Sequence, residues 1–146
     1  MSTPSGPSLY LSLWKTSHAI MKADDASIAK AGFRSRSDFA VLEVLLHKGP
    51  LTVNTIGKKV LLTSGSITTA IQRLEKQGWV QRSRDSGDRR KVTIELTDVG
   101  RERITSSFAE HAARLEEAFA PLSPAEKKEF STLLKKLRHH QPKDPS

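Results

Sequence analysis

Residues 63–100 constrain this chain more than any other stretch. Thr63-Ser64-Gly65-Ser66-Ile67-Thr68-Thr69-Ala70-Ile71-Gln72-Arg73-Leu74 sets Ile67, Ala70, Ile71 and Leu74 at offsets of three, four and seven, which is one face of a helix. The opposite face carries Gly65, Thr69, Gln72 and Lys76, flanked by Ser66, Thr68 and Arg73. Short polar side chains backed by an apolar stripe suit close approach to a groove, and the N–H groups of a helix start bind phosphate. After Gly78 the helical period gives way to alternation. Two short strands, 79–82 and 92–96, are expected around the turn residues Asp85-Ser86-Gly87-Asp88, with Asp88-Arg89-Arg90-Lys91 as a basic tip. A helix followed by a basic hairpin can lay the helix in a major groove and reach the adjacent minor groove with an arginine. The fold class this predicts is mainly α: a winged helix-turn-helix with a two-stranded wing and terminal dimerisation helices.

The charge distribution agrees. The chain carries a formal net charge of +8, and nine Lys/Arg against three acids lie between Lys58 and Lys91, a local excess of +6 in 34 residues. Such a concentration is the footprint of a polyanion binder, whereas a solvated basic face would have no reason to coincide with the helix and hairpin. With 146 residues the chain suits a single domain. Its DNA-binding core is expected at 34–100, with dimerisation helices at 8–33 and 101–140.

Residues 1–7 are rich in Ser, Pro and Gly and are expected to form a flexible arm before a helix over 8–31. Ser37-Asp38 is expected to open a second helix that Gly49-Pro50 ends, and Thr52 to cap a short third. Thr97 or Asp98 starts a long helix with Ile104, Phe108, Ala112, Leu115 and Phe119 at helical spacing, and Pro121 breaks it. Ser123-Pro124-Ala125-Glu126 is a capping box with proline at the first helical position, opening a last helix with Phe130, Leu133, Leu134 and Leu137. Apolar stripes near both termini, outside a compact middle, predict a bundle between two subunits.

Catalytic and metal chemistry find little footing. There is no cysteine, which excludes disulfides, thiolate metal sites and thiol redox sensing. Phosphate-loop, nucleophile-elbow and His-Glu-x-x-His patterns are absent, and His18, His47, His111, His139 and His140 include no pair four residues apart on a helix. His111 beside Glu110 has no evident metal partners, and Asp24-Asp25 and Glu116-Glu117 read as solvated helix faces. No enzymatic activity, metal or cofactor is expected. The apolar run 9–14 is too short for a membrane span and no basic leader precedes it, so a soluble cytoplasmic protein is expected.

Several stretches, in order and at matching spacings, resemble the MarR family of bacterial transcriptional regulators over nearly the whole chain. Gln72-Arg73-Leu74-Glu75-Lys76-Gln77-Gly78 is similar to the family's Asp-Arg-Leu-Glu-x-x-Gly segment. Asp85-Ser86-Gly87-Asp88-Arg89-Arg90 resembles its wing, Leu96-Thr97-Asp98-Val99-Gly100 its Leu-Thr-x-x-Gly exit, and Ser123-Pro124-Ala125-Glu126 the opening of its last helix. The resemblance implies a homodimer on a palindromic site in double-stranded DNA, with repression relieved by a small aromatic or amphipathic effector. It implies that Arg90 enters the minor groove, oriented by Asp88 two residues earlier on the same strand face. It also implies an effector site between reading head and dimer helices, for which Trp14, His18, Met21 and Phe39 are the candidates, with Phe33 and Phe108 nearby. Many relatives carry an arginine where this chain has Thr69, which cannot fork onto guanine.

The DNA-binding set expected from these readings is Thr63, Ser64, Gly65, Ser66, Thr68, Thr69, Gln72, Arg73, Asp88, Arg89, Arg90 and Lys91. Two other functions compete. A non-specific architectural DNA binder would lack a specificity ratio, and a protein-interaction module would show no salt-dependent DNA binding.

Overall fold

The computed structural model describes residues 2–84, 87 and 90–143. Its elements run α1 (Gly6–Lys30), α2 (Arg36–Lys48), α3 (Val53–Val60), α4 (Ser64–Lys76), β1 (Val80–Arg84), β2 (Val92–Leu96), α5 (Asp98–Ala118) and α6 (Pro124–His140). Each of these six helices starts the same way. Ser5, Ser35, Thr52, Thr63, Thr97 and Ser123 stand extended at the N-caps, and each side-chain oxygen accepts the N–H three residues on. Such a cap is worth about 1 kcal/mol and fixes where the helix begins.

Two expected boundaries move for this reason. Ser5 caps α1 with Pro7 in its first turn, so the helix reaches back into the stretch expected to be a flexible arm. Ser35, not Ser37-Asp38, caps α2, which leaves Asp38 inside the first turn and fully buried.

The core gathers around α2, which packs on α1, α3, α4, α5 and β2. Phe39, Val41, Leu42 and Leu45 of α2 meet Ile56 of α3, Ile67, Ala70, Ile71 and Leu74 of α4, Ile94 of β2 and Ile104 of α5. The stripe read from α4 is therefore its buried face, and Ser64, Gly65, Ser66, Thr68, Thr69 and Gln72 stand exposed opposite. α3 and α4 are joined by a tight turn in which Leu61 is left-handed (φ 57°) and the Leu62 N–H bonds back to the Gly57 carbonyl at 3.0 Å.

β1 and β2 form an antiparallel hairpin with Val80 opposite Leu96, Arg82 opposite Ile94 and Arg84 opposite Val92. The first strand lies one residue later than expected and runs to Arg84. Leu51, just before α3, bridges to Ile94 through reciprocal backbone bonds of 3.1 and 2.7 Å. The wing is thus anchored to the helix-turn-helix by main chain.

Gly78 ends α4 with φ 77°, and the first turn of α5 closes over that corner. Thr97 donates its N–H to the Trp79 carbonyl (3.1 Å) and its hydroxyl to the Gly78 carbonyl (2.6 Å). Gly100 lies against the same carbonyl, and a Cβ there would collide with the Trp79 backbone. The Leu-Thr-x-x-Gly exit accordingly has a steric meaning: it seats α5 directly on the end of the recognition unit. Backbone cannot retreat as a flexible side chain can. Gly100→Ala is expected to cost about 3 kcal/mol, the upper part of the range for overpacking, in a urea denaturation series. An unchanged midpoint would contradict this close approach.

Candidate nucleic-acid interface

The interface is built from the exposed half of α4, the turn before it and the hairpin after it. Thr63 caps α4 through its side chain, and its hydroxyl donates to Ser66 Oγ at 3.0 Å. Farther along, Thr68 Oγ1 donates to the Ser64 carbonyl (2.8 Å) and Thr69 Oγ1 to the Gly65 carbonyl (3.0 Å). Lys58 and Lys59 of α3, Lys76 of α4 and Lys91 before β2 are exposed around this face, as is Arg90 at the wing. Asp88 and Arg89, also expected in the interface, lie outside the described residues.

Arg73 is the expected contact that the fold draws away. Its guanidinium turns toward α2 and grips Asp38, with Nη2 at 2.6 Å from Oδ1 and Nε at 3.0 Å from Oδ2. Asp38 is completely buried, while the Arg73 side chain keeps a quarter of its surface. The hydrogen bond to Asp38 raises the arginine's pKa against the opposing effect of burial, so the guanidinium stays charged. A bidentate, charge-assisted contact across 35 residues of sequence orients the recognition helix on α2. Arg82 is likewise held, its Nε and Nη2 both 3.0 Å from Glu75 Oε1. Arg73 and Arg82, both among the cations counted between Lys58 and Lys91, are thus held in internal pairs.

The residues expected around an effector do not converge. Trp14 and His18 stand together on exposed α1, ring centroids 5.5 Å apart, and Met21 is exposed one helical turn on. Phe39 belongs to the core instead, edge-on to Phe33 at 5.1 Å and 4.5 Å from the His111 ring. Amphipathic spacing could not separate a core aromatic from a cavity wall.

A polar cluster that the sequence concealed lies between α1, α2 and α5. Asp24, expected on a solvated face, is 3% exposed and accepts from His111 Nδ1 at 2.8 Å and from Arg36 Nη1 at 3.0 Å. An ionised carboxylate only accepts, which places a proton on His111 Nδ1. Arg36 also holds Asp25 (2.8 Å) and the Met21 carbonyl (3.0 Å), and Glu43 stands 4.0 Å from His111 Nε2. The only local signal was the Asp24-Asp25 doublet; its partners are 11 to 87 residues away. Among the described residues no cluster of His, Asp and Glu could hold a metal ion, and no helix is long and apolar enough to cross a membrane.

Residues 35–92 match the MarR family model. The HTH-type transcriptional regulator YkoM of Bacillus subtilis (strain 168) is 41% identical over 104 residues, 71% of this chain and 68% of that protein. The chain belongs to the MarR family. Among solved structures, Sco3205 from Streptomyces coelicolor in complex with DNA superimposes with a TM-score of 0.83 at 21% identity, over 99% of this chain and 94% of that one. Bordetella bronchiseptica BpsR, whose DNA binding is regulated by 6-hydroxynicotinic acid, gives a TM-score of 0.81 at 21% identity over 97% and 100%. This MarR-family chain is a DNA-binding transcriptional regulator and not an enzyme.

The Arg73–Asp38 pair yields an asymmetric prediction. Arg73→Ala strands a buried carboxylate and is expected to cost about 3–5 kcal/mol. Asp38→Asn releases an arginine that already touches solvent and is expected to cost less, about 1–3 kcal/mol. Chemical denaturation of both variants checks the order; equal or reversed losses would mean that desolvation of Asp38 does not govern this contact.

Proposed function

We propose that this regulator acts as a homodimeric repressor on a palindromic operator. In this reading α4 lies in the major groove of each half-site and the wing reaches the flanking minor groove through Arg90. The observation that carries it is the set of apolar side chains that one chain leaves uncovered. Leu9, Tyr10, Leu11, Leu13 and Trp14 of α1 are all exposed, Trp14 by 53%, and so are Phe130, Leu133 and Leu137 of α6, Leu137 by 55%. The start of α1 is apolar over much of its circumference, with Ser8, Ser12 and Lys15 as a polar stripe, and so broad an apolar surface calls for other elements around it. A second copy supplies such surroundings, and a two-fold dimer presents two identical reading heads to a two-fold DNA site. The DNA complex of Sco3205 supports binding to DNA, and the 6-hydroxynicotinic acid that regulates BpsR supports a small aromatic effector. A small aromatic or amphipathic effector would bind near Trp14 and His18 and bias the spacing of the heads.

Burying one Leu or Phe side chain contributes roughly 1.5–3 kcal/mol, so several sustain an interface. Removing residues 122–146 deletes Phe130, Leu133 and Leu137 and is expected to yield a monomer in sedimentation. A stable truncated dimer would refute the role given to α6.

Arg90→Ala is expected to weaken binding to operator and random DNA alike. The log–log dependence on salt should become shallower by up to ~1 for each phosphate-equivalent charge lost per subunit. Anisotropy titrations at several salt concentrations measure both quantities, and an unchanged affinity and slope would remove the wing from the mechanism. Aromatic acids added to the same titrations should weaken wild-type binding and act less on His18→Ala and Trp14→Phe. An effector acting equally on all three proteins would place its site elsewhere.

A further inference from the structure

On α4, the Thr68 and Thr69 hydroxyls and the Arg73 guanidinium give hydrogens to the protein itself. A hydroxyl has one hydrogen to give. Thr68 gives it to the Ser64 carbonyl at 2.8 Å and Thr69 to the Gly65 carbonyl at 3.0 Å. Each is left with a methyl group and oxygen lone pairs for a partner. Arg73, the one guanidinium on this helix, gives Nε and Nη2 to Asp38. Lys76 stands about 10 Å farther along the helix axis than Thr69, in the last turn. Between Ser64 and Gln72, the only side-chain amide is that of Gln72, which is exposed.

The major-groove edges answer such a surface unequally. Guanine shows two acceptors, N7 and O6, and is read by forked cationic donors. Thymine shows a methyl group, and adenine pairs a donor N6 with an acceptor N7, which suits a carboxamide. We infer that α4 selects A·T pairs beneath Thr68, Thr69 and Gln72. Thymine C5-methyl groups pack on the two threonine methyls, Gln72 pairs with an adenine edge, and these three residues make no guanine contact. This specificity rests on the reading above that α4 occupies the major groove.

The test begins with selection of randomised duplexes by the intact protein. Within the enriched half-site each dT is then replaced by dU, which keeps the base pair and deletes only the methyl group. The expected result is A·T at the central positions of each half-site and a loss of roughly 5- to 10-fold in affinity at one or two thymines. Thr69→Val, which retains the methyl groups, should bind within about 2-fold of wild type. Thr69→Ser and Thr68→Ser should bind more weakly and lose their sensitivity to dU at the contacted thymine. Both positions are exposed, and a melting curve for each variant separates reading from folding. Fixed G·C pairs at the centre, or indifference of the wild-type protein to every dU, would overturn the inference while leaving groove reading intact. Equal affinity for random and selected duplex would overturn groove reading as well, and the inference with it.

Discussion

The burial of one carboxylate, Asp38, sets the position of the recognition helix. A fully buried carboxylate is tolerated only when ionic and hydrogen-bonding partners replace its water, and Arg73 supplies three such contacts from the last turn of α4. The apolar stripe of Ile67, Ala70, Ile71 and Leu74 brings α4 to α2 but leaves its rotation loosely defined, because hydrophobic burial has no direction. The bidentate ion pair adds that direction. With α4 held, its short polar residues face outward as a set, and the helix presents methyl groups and lone pairs in place of a guanidinium.

The same division between apolar attraction and polar registration recurs where the reading head meets the long helices. Arg103 of α5 lies over the rings of Phe33 and Trp79 at 5.5 and 5.1 Å and donates to the Ala31 carbonyl at 2.9 Å. It joins the end of α1, the start of the wing and α5 in one contact. Farther along α5, Asp24, Arg36 and His111 join α1, α2 and α5. Gly100 seats α5 on the Trp79 backbone. A displacement of α1 or α5 therefore has polar contacts through which to reach α2, and the Asp38–Arg73 pair continues from α2 to α4. These contacts are the physical means by which an event at the long helices could bias the head.

Much of this was legible in the chain because it is local. Helix starts could be read from Ser and Thr side chains that bond three residues ahead, and the α4 stripe from its period. The hairpin followed from alternation around Gly87, and the Thr97–Gly100 exit from its spacing. The two helix starts that shifted did so because Ser5 and Ser35 are the residues that cap α1 and α2. Phe39 lies in the core, and an aromatic at helical spacing looks the same in sequence whether it walls a cavity or fills a core. Asp24 was misread because its partners, Arg36 and His111, are 12 and 87 residues away.

By itself, then, the sequence determined the kinds and order of the elements, the basic character of the reading head and the absence of thiol chemistry. Each depends on residue identity and near-neighbour spacing. Tertiary structure alone decided which charges remain available. Arg73 and Arg82 counted as cations for a polyanion until the fold turned them onto Asp38 and Glu75, and Asp24 counted as solvated until α5 covered it. A charge acts through its distance to other charges and through its access to water, and both quantities exist only once distant segments have packed.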